Sequence, residues 1–140
     1  MIGIDLTGRT AFVSGSTQGI GLAIAQRLAE AGARVAVNSR TPQRVQEALT
    51  SLTEAGIGPE LLIAAPGDVT TDDGLVAALD ASGEVDILVN NLGIFGAAPA
   101  LEISDAEWQR YWDVNVLTAV RLIRATLPRM KEAGWGRVLN

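Results

Sequence analysis

The sequence predicts an α/β protein in which parallel strands form one sheet with helices layered against it. Three observations carry that expectation. Short apolar runs alternate along the whole chain with segments of helical spacing. One run, Arg34-Val-Ala-Val-Asn38, is apolar through Val35, Ala36 and Val37 without alternation, as in a strand buried on both faces. The first run, Ala11 to Ser14, passes directly into a turn carrying Gly15, Gly19 and Gly21, inside which a helix begins. Strands separated by helices are joined economically only by right-handed crossovers, which makes the strands parallel. No repeat, low-complexity segment or linker interrupts the pattern, so residues 1–140 read as a single unit.

In chain order, residues 1–9 are a lead-in with a turn at Thr7-Gly8. Strand one covers 10–14 and the first helix 19–31. In that helix Ile20, Ala23, Ile24, Arg27 and Leu28 recur at helical spacing, with the apolar members toward the sheet, and Gly32 ends it. Strand two covers 34–38. Thr41 and Pro42 read as an N-cap and first-turn proline for a helix reaching residue 55, ended by Gly56. Strand three covers 60–65, followed by the loop 66–69. Thr71 caps a helix to residue 81, with Asp72 and Asp73 where the helix dipole favours negative charge. Strand four covers 85–90, and 92–100 reads as a mobile loop. Ser104 and Glu107 have capping-box spacing at the head of a long helix, 104–131, ended by Gly134. Residues 137–140 open a fifth strand.

The glycine turn is where chemistry is expected. A strand, a tight turn and a helix start bring unpaired N–H groups and the positive end of a helix dipole to one point, which suits an anion such as a pyrophosphate. Gly15 permits the turn, Gly19 lets a ligand approach the backbone, and Gly21 lets the helix lie close to the strand. A P-loop is excluded, because Ile20, Leu22 and Ala23 stand where its Lys and Ser/Thr are required.

Composition narrows the classes further. The net charge of -5 argues against nucleic acid as a partner. With no cysteine and no histidine, disulfides, thiolate chemistry, histidine triads and the usual zinc sites are ruled out, and no metal site is expected. No signal peptide or membrane-length apolar run is visible, so a soluble cytoplasmic protein with no membrane partner is expected.

Four features together, Ser14-Gly15-x-x-x-Gly19-x-Gly21, Asp68-Val69, Asn90-Asn91-Leu92-Gly93 and Asn115, resemble the short-chain dehydrogenase/reductase family across the whole chain. The resemblance implies a doubly wound parallel sheet, the Rossmann fold, here incomplete with strand order 3-2-1-4-5. It also implies a nicotinamide dinucleotide and hydride transfer to or from a small-molecule alcohol or carbonyl. Gly15, Thr17, Gln18, Gly19, Ile20 and Gly21 would cradle the pyrophosphate and adjoining ribose. Ser14, where the family usually has Thr, would tie strand one to Asn90-Asn91. Asp68 would take the adenine amino group, with Val69 on the ring. Asn91 would reach the ribose, beside Gly93, and Leu92 departs from the usual Ala. Asn115 would open the helix and hold a water of the proton relay. Strand two ends in Asn38-Ser39-Arg40 without the acid that NAD-preferring sheets use, so Ser39 and Arg40 favour NADP, with NAD as the alternative.

The family's catalytic Ser, Tyr and Lys have no counterpart here, since Tyr111 lies outside a Tyr-x-x-x-Lys pattern. The expectation is therefore the cofactor-binding half of a longer oxidoreductase, inactive as 140 residues. The competing class is a non-catalytic dinucleotide-binding or sensor module. Apolar residues lie nearly all round the long helix, from Trp108 to Leu127, which argues for a homodimer or homotetramer built on it.

Overall fold

A computed structural model describes residues 3–140; Met1 and Ile2 of the expected lead-in lie outside the described residues. Five strands alternate with five helices: β1 (Thr10–Val13), α1 (Gly19–Glu30), β2 (Arg34–Val37), α2 (Pro42–Glu54), β3 (Leu62–Ala64), α3 (Asp72–Ser82), β4 (Ile87–Val89), α4 (Asp105–Tyr111), α5 (Thr118–Glu132) and β5 (Arg137–Leu139). All pairings are parallel, and the sheet order is β3-β2-β1-β4-β5, as expected of a doubly wound Rossmann sheet.

The pleat divides the core into two layers. Ala11, Val13, Val35, Val37, Ile87 and Val89 face α1 and α2, meeting Ala25, Ala29, Ala48 and Leu52. Phe12, Ala36 and Leu88 face the other way, onto Leu75 and Ala78 of α3 and Leu122 and Met130 of α5.

The structure corrects several expected details. The buried face of α1 is Gly21, Ala25 and Ala29, while Ile20 is 76% exposed and Ala23 is also exposed. Small residues hold the centre of that face, where the helix lies closest to the sheet, while Ile24 and Leu28 pack half-buried against the core as expected. The expected third strand, 60–65, is shorter at its start, where Glu60 and Leu61 belong to a 3₁₀ turn, Pro59–Leu61, and the fourth strand is shorter than its apolar run. Thr41 makes no side-chain cap; Pro42 has no N–H to satisfy, which reduces the need for one. Ser104 does cap, accepting from Glu107 N–H at 3.2 Å, but the Glu107 carboxylate pairs with Arg110 at 3.0 Å instead of closing the box.

The long helix is not uniform. A π-helical segment, Trp112–Leu117, separates α4 from α5. The sheet covers one side of α5, burying Thr118, Leu122, Thr126 and Met130. The opposite side is open, with Trp108, Trp112, Val116, Val120 and Leu127 exposed. Among the described residues, no helix is long and apolar enough to cross a membrane.

Candidate functional site

The order in which strands are added changes direction between β1 and β4, from one edge of the sheet to the other, and a parallel sheet opens a crevice at the carboxyl ends of its strands at such a point. A cavity of about 630 Å³ lies along the strand ends there. Gly15, Thr17, Gln18, Gly19, Ile20, Gly21, Ser39, Arg40, Asp68, Val69, Asn91 and Gly93, all twelve residues expected to bind a cofactor, line it.

Its floor is the glycine turn. Gly15 and Gly19 stand in the left-handed region, with φ of 62° and 55°. A Cβ on Gly21 would run into the Gly15 carbonyl and the Asn91 amide, so helix and turn touch only because that atom is missing. Among the described residues, the N–H groups of Gly19, Ile20 and Gly21 find no protein acceptor, and Gln18 supplies no side-chain cap. Nothing stands within 4 Å of the Cβ position of Gly19. Bare donors and open space at a helix start fit a pyrophosphate.

Two buried hydroxyls and two amides hold this floor in place. The Ser14 hydroxyl donates to the Val89 carbonyl at 3.3 Å and accepts from the N–H groups of Asn91 and Leu92 at 3.1 and 3.0 Å. Ser14 therefore makes the expected tie between strand one and the segment after β4. Asn91 Nδ2 donates to the carbonyls of Ser14 and Gly15, both at 3.0 Å. Asn38 works on the other flank. Its Oδ1 accepts from Gly15 N–H at 3.3 Å, and its Nδ2 donates to the carbonyls of Ala65 and Gly67 at 2.9 and 3.1 Å. The Asn38 N–H donates to the hydroxyl of Ser16, which itself donates to the Val13 carbonyl at 2.7 Å. Asn38 and Ser16 were not read as site residues from sequence; the only signal was their polarity at the ends of apolar strands.

The walls are more polar. Asp68 Oδ1 accepts from the N–H and hydroxyl of Thr70, at 3.0 and 2.6 Å. Val69 is 2% exposed, its side chain belonging to the core under α3, so little of it is left for a ring to pack on. Leu92 lies over the glycine turn, its Cδ1 3.3 Å from where a Gly15 Cβ would be. Three arginines, Arg40, Arg44 and Arg110, line the cavity with Asp68 as the sole acid among its lining residues, although the chain as a whole is acidic. Arg44 and Arg110 went unread in the sequence, because an arginine on a helix surface is ordinary until its neighbours are known.

Asn115 does not line the cavity; it acts on the loop that does. It sits in the π segment, its Oδ1 accepting from Ile94 N–H at 2.7 Å and its Nδ2 donating to the Ile94 carbonyl at 2.9 Å. One turn earlier, the Tyr111 hydroxyl rests against Gly96, where a Cβ would come within 2.8 Å of it. The loop after β4 is thus pinned at its start, while Phe95 and Leu101 stay exposed. Asn90 Nδ2 donates to Asn140 Oδ1 at 2.8 Å, and its own Oδ1 is buried without a partner.

A second hollow, about 540 Å³, lies at the amino ends of the strands among Arg9, Asp86 and Arg129. Much of its charge is already used: Asp86 accepts from Thr10 N–H at 3.0 Å, and Arg129 pairs with Glu84, which leaves Arg34 and Asp80, of opposite sign. It offers no comparable set of bare donors.

A family model described as short chain dehydrogenase matches residues 9–140. An uncharacterized oxidoreductase of Bacillus subtilis, YvaG, is 44% identical over 136 residues, which cover 97% of this chain and 51% of that protein. D-beta-hydroxybutyrate dehydrogenase of Rhizobium meliloti is 35% identical, over 94% of this chain and 52% of its own length. Among solved structures, L-sorbose reductase from Gluconobacter frateurii, complexed with NADPH and L-sorbose, superposes with a TM-score of 0.85 at 36% identity, over 98% of this chain and 53% of that one. The chain spans about half the length of the curated relatives it matches.

Proposed function

The chain belongs to the short chain dehydrogenase family, and from that premise we propose that it is the cofactor-holding part of an oxidoreductase. The reaction proposed is hydride transfer between NADP(H) and a small alcohol or carbonyl compound. The observation that carries this is the coincidence, in one cavity, of three unpartnered N–H groups at the start of α1 with two unpaired arginines at the end of β2.

Gly19, Ile20 and Gly21 would receive the pyrophosphate through their N–H groups, with Thr17 and Gln18 beside it. The free oxygen of Asp68 would accept from the adenine amino group. Ser39 and Arg40 would meet a 2′-phosphate, in a place where a carboxylate would instead repel it. Asn91 spends its amide hydrogens on the turn, which leaves its Oδ1 for a ribose hydroxyl. Bound in this way, the dinucleotide supplies or accepts the hydride.

Asn115 positions the loop through Ile94, and both its side-chain atoms keep one further hydrogen-bonding position for the expected relay water. Among the described residues that line the cavity there is no Tyr or Lys to give the substrate its proton; we propose that this group lies outside residues 1–140, which form a single, incomplete dinucleotide-binding domain. We further propose that the protein assembles as a homodimer or homotetramer over the open face of the long helix.

The test is carbonyl-dependent oxidation of NADPH by the full-length protein, beside the 140-residue chain as a control. Turnover by the former alone is expected. A full-length protein that binds NADPH yet turns over no carbonyl compound would favour a sensor, and turnover by the 140-residue chain would require an acid within it.

A further inference from the structure

We propose that Arg44 supplies a second guanidinium to the phosphate held by Arg40. The two would form a clamp on a ribose 2′-phosphate, which makes Arg44 a determinant of the preference for NADP(H). This rests on the reading above that the cavity takes NADP(H).

Both arginines line the cavity at the carboxyl end of β2, and both are exposed. They enter it from different elements, Arg40 from the loop after β2 and Arg44 from the first turn of α2. Arg44 also borders a smaller hollow with Thr17 and Gln18, which places it between α2 and the glycine turn. Arg110, the third arginine of the cavity, is paired with Glu107, as Arg9, Arg27 and Arg129 are paired elsewhere with Asp86, Glu30 and Glu84; among the described residues Arg34, Arg121, Arg124 and Arg137 lack a carboxylate partner too, but they do not line this cavity. Among the described residues, neither Arg40 nor Arg44 has a carboxylate within ion-pair distance.

For Arg44 that freedom is specific. Glu47 stands one turn further along the same helix, the usual partner for such a pair. Instead, Glu47 Oε1 accepts from Gln43 Nε2 at 2.9 Å. Asp68, the acid in the cavity wall, is turned to Thr70. Both acids near Arg44 therefore have other partners.

A phosphate monoester carries a charge of about −1.5 to −2 at neutral pH, more than one guanidinium neutralises. Two guanidiniums match it, and each offers paired N–H donors to its oxygens. A ligand without the 2′-phosphate gains nothing from Arg44, so the residue discriminates between cofactors instead of strengthening both.

Titration calorimetry of the intact protein with adenosine 2′,5′-bisphosphate and with AMP tests this without turnover. The wild type is expected to prefer the bisphosphate. Arg44→Ala should cut bisphosphate affinity about tenfold while leaving AMP affinity unchanged, and Arg44→Lys should recover part of it. Arg44 is exposed, so its truncation leaves the core intact; matching thermal melts would confirm that. If the wild type prefers the bisphosphate and only Arg40→Ala erases the preference, the NADP reading stands and the role of Arg44 is overturned. If the wild type binds both ligands equally, the NADP reading falls and the clamp falls with it.

Discussion

Asn115 and Ile94 are joined at two points, amide against peptide, so that one side chain of the long helix continues the hydrogen bonding of the loop after β4 as a neighbouring strand would. The pair is open to solvent, so its loss should cost folding only about 1 kcal/mol. Its larger effect is on order. In Asn115→Ala the Ile94 amide should lose protection from hydrogen exchange while the β1 amides keep theirs. Unchanged protection at Ile94 would show that the loop is held by something else.

Gly21→Ala tests the close approach of α1 to the turn. The added Cβ meets a backbone carbonyl and an amide already fixed by two hydrogen bonds, so neither can step aside cheaply. A cost of about 1–3 kcal/mol is expected from such overpacking, with NADPH binding lost as well. Urea denaturation measures the first and fluorescence titration the second. A variant as stable as wild type would mean that the turn can move.

Asn38→Ala removes one buried side chain that serves three segments. It leaves Gly15 N–H and the carbonyls of Ala65 and Gly67 without that partner, the Ala65 bond being fully buried. About 2–4 kcal/mol of stability should be lost, more than for an exposed amide. Denaturant midpoints are the measurement, and a loss below that of Asn115→Ala would remove Asn38 as the staple of the strand ends.

The proposed assembly is tested on the open face of the long helix. Val120→Glu places a charge among exposed apolar side chains without touching Leu122 or Met130 on the sheet side. Light scattering of the full-length protein should show a dimer or tetramer for wild type and a smaller species for the variant. A wild type that is monomeric at micromolar concentration would end the proposal.

The order of elements and the cavity wall were legible because each left a local mark: apolar runs for strands, glycines for the turn, polar residues at strand ends. What escaped depended on longer range. The face of α1 is legible only in part: Ile24 and Leu28 pack on the core, but Ile20 and Ala23 fit the apolar period as well as Gly21 and Ala25 do, and only the closeness of the sheet decides between them. The π segment keeps helical backbone angles at both its borders, at Tyr111 and Thr118, so a period read over six residues does not reveal it; Asn115 was its one trace. Asn38 registered as a missing acid, because its true partners, Gly15, Ala65 and Gly67, lie far from it in sequence. Arg44 looked like any surface arginine until its cavity and the competing bond of Glu47 were in view.

The central place of β1 also bears on how the chain comes together. One edge of β1 is satisfied early, when Ala11 meets Val35 across a single helix. The other edge must wait for Ile87, three helices later, and until then its backbone groups have no ladder. Closing so long a stretch is slow, and an open strand edge is a template for another chain in the meantime. During synthesis or refolding, the species most exposed to aggregation is therefore the one in which β1, β2 and β3 have assembled and β4 has not. Temperature and dilution, which govern how long that species lasts and what it meets, should set the yield of folded protein more than any strengthening of the finished core.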